Sequence, residues 1–393
     1  MCYTVQWQNV FSWRVLRFDE DLQNCLLDLS NMTELRDLNL SKVTLSNTFC
    51  STLSSTLTCC IKMKKLSISN TDLQNCLLDL SNMTELTELD MQEATLSSTC
   101  CDILGSTLTH CTKLEKLSIH RMHLHNCLLD FTNMTKLIVL VMHDVTLSSI
   151  CCDVFCRTLT HCTKLERLEI HNTDLHNSMF DLANMTELID LDLRTVTLSS
   201  GLTHCTKLER LVIFITDPHS CLLDLSNMTQ LTILDMSGVI LSRSLTQCTK
   251  LERLGIYNTD LQDCLLDFSN MTELTVLEML GVKLSSFCCD VLGSTLTHCT
   301  KLETLTIRNT DLHNCVLDLS SMTELTSMEL SKVALSSSCC DVLGSTLTRC
   351  TKLKTLRLCN TDYFCSWNAC RDRFESIQFL IKKETEKLAD LTL

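Results

Sequence analysis

One proline (Pro218) and seven glycines in 393 residues leave little room for long flexible linkers. No apolar run approaches the roughly 20 residues that a bilayer span requires. The N-terminal stretch MCYTVQWQNVFSWRVLRFDED lacks the continuous apolar segment of a secretory signal, so a cytoplasmic chain without a membrane span is expected. Positive charge is also scarce. Thirty-three Lys and Arg stand against 47 Asp and Glu, and the net charge of −14 argues against nucleic acid as a partner. There is no phosphate loop, no G-x-S-x-G and no metal-ligand cluster. His110–Cys111 resembles a catalytic pair, but adjacent residues on a helix do not face each other. No enzyme activity and no cofactor are expected.

What the chain does have is repetition. Met83–Leu124 holds two versions of one pattern, L-x-x-L-x-L-x-x-(small)-x-L: Leu86, Leu89, Met91, Ala94, Leu96, then Leu114, Leu117, Ile119, Met122, Leu124. The alternation turns the apolar side chains of a short strand inward, and the later residues carry the chain to the next layer. Layers of one type begin at Leu35, Leu86, Leu137, Leu188, Leu231, Leu274 and Leu325. Those of a second type begin at Met63, Leu114, Leu165, Leu208, Leu251, Leu302 and Leu353. Every step from the second type to the first is a 23-residue step, as from Leu114 to Leu137. The steps the other way are 28-residue steps, as from Leu86 to Leu114, and shorten to 20 at Leu188 to Leu208 and Leu231 to Leu251.

The 28-residue steps predict a helix, because Cys101, Leu104, Leu108 and Cys111 share one helical face and Ser97 or Ser98 is available as a cap. The 20-residue steps have lost about two turns of it. The 23-residue steps, with runs such as Cys127 to Phe131, predict one irregular or 3₁₀ turn. This pattern resembles the leucine-rich repeat family. The alternation of long and short layers is similar to the ribonuclease inhibitor and to the repeats of the nucleotide-binding leucine-rich-repeat (NOD-like) receptors of innate immunity. The resemblance implies an α/β solenoid, a curved horseshoe with one parallel sheet on its concave face. The family's usual Asn or Cys after the strand is here mostly Thr (Thr71, Thr173, Thr259, Thr310) or Val (Val43, Val145, Val239, Val282).

Three regions are expected: a degenerate first repeat or cap over 1–31, in which the chain begins part-way through a layer; the solenoid over 32–363; and a closing amphipathic helix over 364–393. Twenty-eight cysteines suggest a disulfide framework at first sight. Seven of them, Cys60, Cys111, Cys162, Cys205, Cys248, Cys299 and Cys350, recur at one phase in every second layer. That places them about 10 Å apart, too far to bridge. Most cysteines are therefore read as reduced core residues. Six Asn-Met-Thr sequons also hold one phase (Asn31, Asn82, Asn133, Asn184, Asn227, Asn270), with Ser321 at the seventh place, and are read as structural.

Positions that vary between copies are free to serve recognition, and most are the outward residues of the strands. Basic residues (Lys65, Lys116, Arg167, Arg210, Arg253) and acidic ones (Asp37, Glu88, Asp90, Asp190, Asp192) alternate from strand to strand, which predicts cross-strand ion pairs. Val212, Phe214, Ile233, Tyr257, Val276 and Leu280 break the pattern, as do Val139 and Val141 earlier. The candidate partner-binding residues are those six with Arg210, Arg253, Asp190 and Asp192. The resemblance implies a protein ligand and a ligand-sensing or autoinhibitory role, through contact with an upstream nucleotide-binding domain absent from this chain. A stand-alone enzyme inhibitor and an extracellular Toll-like ectodomain are the alternatives.

Overall fold

The computed structural model describes residues 14–17, 32–43 and, with short gaps, 50–359. The expected closing helix and nearly all of the expected N-terminal cap lie outside the described residues. The chain divides into two units, Met1–Ser200 and Gly201–Leu393.

The first unit carries eight parallel strands in chain order: Val15–Arg17, Asp37–Asn39, Lys65–Ser69, Glu88–Gln92, Lys116–His120, Val139–His143, Arg167–His171 and Asp190–Arg194. Its register joins like to like, Leu89 to Leu117 and Leu117 to Leu140, so the long and short steps of the sequence are layer steps. The second unit carries seven: Arg210–Phe214, Ile233–Ser237, Arg253–Tyr257, Val276–Leu280, Thr304–Arg308, Ser327–Ser331 and Thr355–Cys359. Leu234 pairs with Leu254 across one of the shortened steps. Most leucines of the pattern are buried, with Leu86, Leu117, Leu140, Leu234 and Leu277 at 0% exposure, whereas Leu96, Leu284 and Leu356 are half-buried.

Each described 28-residue step contains the predicted helix: Ser98–Leu108, Ser149–Leu159, Ser286–Thr295 and Ser337–Leu347. A serine caps each one, Ser97 accepting from the Cys100 amide at 3.3 Å and Ser148 from Cys151 at 3.4 Å. The predicted inward face, Cys101, Leu104, Leu108 and Cys111, is buried. The described residues of the 23-residue steps form no 3₁₀ helix; they are extended segments and turns. Their backbone groups are satisfied by side chains instead. Asp79, Asp130, Asp267 and Asp318 each accept from the amide two residues on, at 2.9 Å. Helix threonines one layer away take further amides, such as Leu80 N to Thr107 (3.1 Å) and Phe131 N to Thr158 (3.0 Å).

After several strands comes a residue with positive φ: asparagine at Asn70, Asn172, Asn258 and Asn309, glycine at Gly238 and Gly281. The buried threonine that follows the asparagine donates to the carbonyl two residues back, as from Thr259 to Tyr257 (2.8 Å) and Thr310 to Arg308 (3.1 Å).

The cysteine column behaves as expected. All seven are buried and none is in a disulfide. Burial pushes the thiols of Cys111, Cys162 and Cys299 up to about 12, and those of Cys60, Cys205, Cys248 and Cys350 up to about 11. One pair departs from the reduced reading. Cys50 and Cys76, which do not belong to the column, form a disulfide with Cα atoms 4.6 Å apart. The spacing argument applies to cysteines at one phase and does not reach two cysteines at different phases of adjacent layers.

The shortened layer between Ile233–Ser237 and Arg253–Tyr257 retains only Leu245 and Cys248 of the buried helical face. Stability in a solenoid sums over neighbouring layers. Amides of this layer should exchange faster than those of the Thr304–Arg308 and Ser327–Ser331 layers. Equal hydrogen-exchange rates across the second unit would contradict this.

Candidate functional site

In a strand whose alternate residues form the core, the intervening three project outward. Five such strands of the second unit bring its candidate residues together. The in-register pairing sets them in rows: Arg210, Ile233, Arg253, Val276 in the first; Val212, Asp235, Gly255, Glu278 in the second; Phe214, Ser237, Tyr257, Leu280, Arg308 in the third. The apolar residues therefore do not form one uninterrupted patch. Ile233 and Val276 alternate with arginines, whereas Phe214, Tyr257 and Leu280 share a row.

They are also less exposed than alternation alone implies. Phe214, Ile233, Tyr257, Val276 and Leu280 are half-buried, and Val212 is only 2% exposed. Parallel strands lie about 4.8 Å apart, so outward neighbours shade one another. The Phe214 and Tyr257 rings meet edge to face at 5.7 Å.

Arg253 anchors the cluster. Its Nε donates to Asp235 Oδ2 (3.3 Å), and its Nη2 to Glu278 Oε2 (2.9 Å) and to the Tyr257 hydroxyl (3.3 Å). The Tyr257 hydroxyl donates in turn to Glu278 Oε2 at 2.6 Å. Burial works against the Arg253 charge, but Asp235 and Glu278 outweigh it and hold the guanidinium above its ordinary value. Burial and the bond to Glu278 push the Tyr257 phenol well up, so it remains a donor. Gly255 makes the arrangement possible. A Cβ there would stand 2.7 Å from Tyr257 Cε2 and would collide with Asp235 Oδ1. Two carboxylates surround one arginine. Asp235 Oδ1 lies 3.3 Å from Arg253 Nε as an ion-pair neighbour, yet, although buried, it accepts no hydrogen bond. The half-buried aromatic pair and the Arg253–Glu278 pair lie side by side on this surface.

Asp190 and Asp192 belong to the first unit, where they serve its own strands. Asp190 pairs with Arg167 at 3.7 Å. Asp192, 2% exposed, takes Arg194 Nε at 3.0 Å and lies 2.8 Å from His171 Nε2. The predicted charge alternation is present in this unit as Lys65–Glu88 (2.8 Å) and Lys116–Glu88 (3.7 Å). Val139 and Val141 are half-buried on the strand between Lys116–His120 and Arg167–His171.

No family model and no curated protein matches the sequence. Solved structures do. An internalin (InlF) of Listeria monocytogenes superposes with a TM-score of 0.53 at 19% identity, over 79% of this chain and 84% of that one. The functional domain of InlJ from the same organism, which includes a cysteine ladder, gives 0.53 at 23% identity, over 86% of this chain. The chain spans 61% of that domain's length. In-register parallel strands at repeating steps, with these neighbours, decide the fold. The chain is a leucine-rich-repeat solenoid.

The leucine-rich-repeat register shows a group that charge and apolarity do not reveal. His120, His143 and His171 follow one another by one short and one long layer step, and occupy one outward row. The His120 and His143 rings meet edge-on at 4.8 Å, and His143 stacks on His171 at 4.1 Å. Glu169 lies 3.4 Å from His143 Nε2 and accepts from Arg167 Nε at 2.8 Å. Sorting outward positions by charge and apolarity hides these three, because histidine falls in neither group; the spacing is the available signal.

Burial, with repulsion from His171 and His120, holds His143 below the ordinary histidine value, and the pull of Glu169 and Asp192 does not offset this. Burial likewise raises Asp90 against the pull of His120. A depressed histidine takes up its proton at lower pH in the folded chain than in the unfolded one. Its contribution to stability is complete above the unfolded value of about 6.5 and is lost as pH falls through the lower folded value. The melting temperature should therefore drop below about pH 6.5, and His143→Gln should flatten that drop. Identical Tm–pH profiles for the two proteins would overturn this reading.

Three of the six sequon asparagines make bonds of the kind a structural role implies. Asn82 Nδ2 donates to the Thr58 carbonyl (3.0 Å), Asn227 to Thr203 (3.3 Å) and Asn270 to Thr246 (3.4 Å), each one layer back. Ser321, which replaces the seventh asparagine, makes the same bond to Thr297. Among the described residues, no group of three or more His, Cys, Asp or Glu is placed to hold a metal ion, and no helix is long and apolar enough to cross a membrane.

Proposed function

We propose that the chain is a protein-binding solenoid whose recognition face is the outward surface of the strands from Arg210–Phe214 to Val276–Leu280. The observation that carries this is the cluster around Tyr257. In the first unit, lysine–glutamate and arginine–aspartate pairs such as Lys65–Glu88 and Arg167–Asp190 occupy outward positions, beside the histidine row. On the proposed face an aromatic pair lies beside an arginine held between two carboxylates, Asp235 and Glu278. Aromatic residues and arginine are the side chains that most often dominate protein interfaces. The partner is a protein that offers a basic or other donor side chain next to an apolar one. Capture from a native lysate by the wild-type chain, repeated with Phe214→Ser/Tyr257→Ser, tests the proposal. The partner should be retained by the first and lost by the second, and equal retention would refute the face.

The finer reading is the ligand-sensing or autoinhibitory region of a cytoplasmic nucleotide-binding leucine-rich-repeat receptor. The alternation of long and short layers and the column of buried thiols support it. A phosphate-binding loop encoded upstream of Met1 would establish it, and an uninterrupted untranslated region there would remove it. The disulfide Cys50–Cys76 favours a second reading, an ectodomain in an oxidising compartment. Glycan attached at the exposed Asn82 or Asn133 in the native protein would decide for that alternative.

A further inference from the structure

Cys50 and Cys76 are not a unique pair in the repeat. Cys50 corresponds to Cys101 and Cys289, the second cysteine of each helix, and Cys76 corresponds to Cys127 and Cys315 in the following layer. All three pairs have the same sequence separation, 26. The local geometry repeats as well. Cys101 Sγ donates to the His123 carbonyl at 3.8 Å, and Cys289 Sγ donates to the Asp311 carbonyl, at the corresponding place, at 3.9 Å.

The helices that carry Cys101 and Cys289 are each drawn against the next layer at a glycine. A Cβ on Gly105 would stand 2.7 Å from the Leu128 amide nitrogen, next to Cys127. One on Gly293 would stand 2.5 Å from the Val316 carbonyl, next to Cys315. The helix from Ser149 differs, having Cys156 at the glycine position and Ser178 in place of the second cysteine. At these two helices, close approach and the paired cysteine occur together.

We infer that Cys101–Cys127 and Cys289–Cys315 are disulfide-forming sites, each closing as Cys50–Cys76 does to join a layer's helix to the layer that follows. The second pair is already in contact: the Cys315 thiol donates to the Cys289 sulfur, which holds Cys289 below its ordinary value and Cys315 above it. Once the layer opens, either sulfur can begin the exchange, Cys289 for instance.

The reaction is thiol–disulfide exchange with a small disulfide donor. The Cys289 thiolate displaces one thiolate from the donor and forms a mixed disulfide. Cys315, passing its proton to that released thiolate, then attacks the Cys289 sulfur and releases the second. Two protein thiols become one disulfide, and the donor is reduced to two thiols. The four cysteines are at most 4% exposed in the folded chain, so exchange takes place while the layer is open, in folding or in local unfolding.

The test is thiol mapping of the full chain, folded in parallel in a buffer of oxidised and reduced glutathione and in excess reductant, then denatured, alkylated and cleaved without reduction. The oxidised sample should yield linked peptides joining Cys101 to Cys127 and Cys289 to Cys315. Cys152, whose partner position holds Ser178, and the column cysteines Cys111 and Cys299 should be alkylated in both samples. A Cys315→Ser chain should lose the second link and keep the first, which separates the two sites. The inference fails if all four thiols are alkylated after oxidation. It also fails if they are linked instead to the neighbouring Cys100, Cys151 or Cys288.

Discussion

Gly105→Val should lower the stability of the first unit by about 1–3 kcal/mol, the usual result of forcing extra carbon into a packed contact. The position lies on the buried face of the Ser98–Leu108 helix, where the nearest atoms to a new Cβ are the Leu128 amide nitrogen at 2.7 Å and its carbonyl oxygen at 3.0 Å. Backbone cannot rotate out of the way as a long side chain can, so either the helix or the 127–128 segment must move. That movement exposes the Cys101, Leu104 and Leu108 face, which is at most 3% exposed in the wild type. Ser106→Val, on the exposed side of the same helix turn, should stay within about 0.5 kcal/mol and serves as the control. Urea midpoints measure the difference. Equal midpoints for the two variants would show that the helix is not pressed on the next layer.

The second large effect concerns the face of the second unit. Replacing Phe214 and Tyr257 by Ser should weaken partner binding by about 2 kcal/mol or more, roughly thirty-fold, if they form the hot spot. Strand alternation alone implies that their loss leaves the fold untouched. The structure changes that expectation. Tyr257 is half-buried, packs edge to face on Phe214 and bridges Arg253 to Glu278. The double variant should therefore also lose about 1–2 kcal/mol of stability, from one aromatic pair and the tyrosine's hydrogen bonds. Tyr257→Phe separates the contributions, since it keeps the ring contact and removes only the hydroxyl. Its stability cost should stay near about 1 kcal/mol. A melting temperature unchanged in the double variant would show that the two rings stand clear of the fold.

The parts of this structure that are legible in the sequence are those set by period. Leucine alternation locates the strands, the 3–4–3 spacing of Cys101, Leu104, Leu108 and Cys111 locates the helices, and Ser97 stands where a cap is expected and bonds Cys100. What period cannot supply is the relation between side chains at different phases of neighbouring layers. Asp192 reads as an outward carboxylate, yet His171 from the strand before it and Arg194 from its own strand bury it. Val212 likewise alternates outward and is covered by its neighbours. The Cys50–Cys76 disulfide and the Tyr257–Glu278 bond join residues 26 and 21 positions apart, separations that are not layer steps. Register has to be known before either can be found.

If the second unit carries the recognition face on its Arg210–Leu280 strands, binding should depend on that face alone. The most direct test is to titrate the captured partner against three proteins: the wild-type chain, Phe214→Ser/Tyr257→Ser, and a first-unit control, Lys65→Ser/Lys116→Ser. Each should first be shown to be folded by its melting curve. The expected result is an affinity at least about thirty-fold weaker for the second-unit variant and unchanged for the control. Unchanged affinity in the second-unit variant, or a loss confined to the first-unit control, would contradict it.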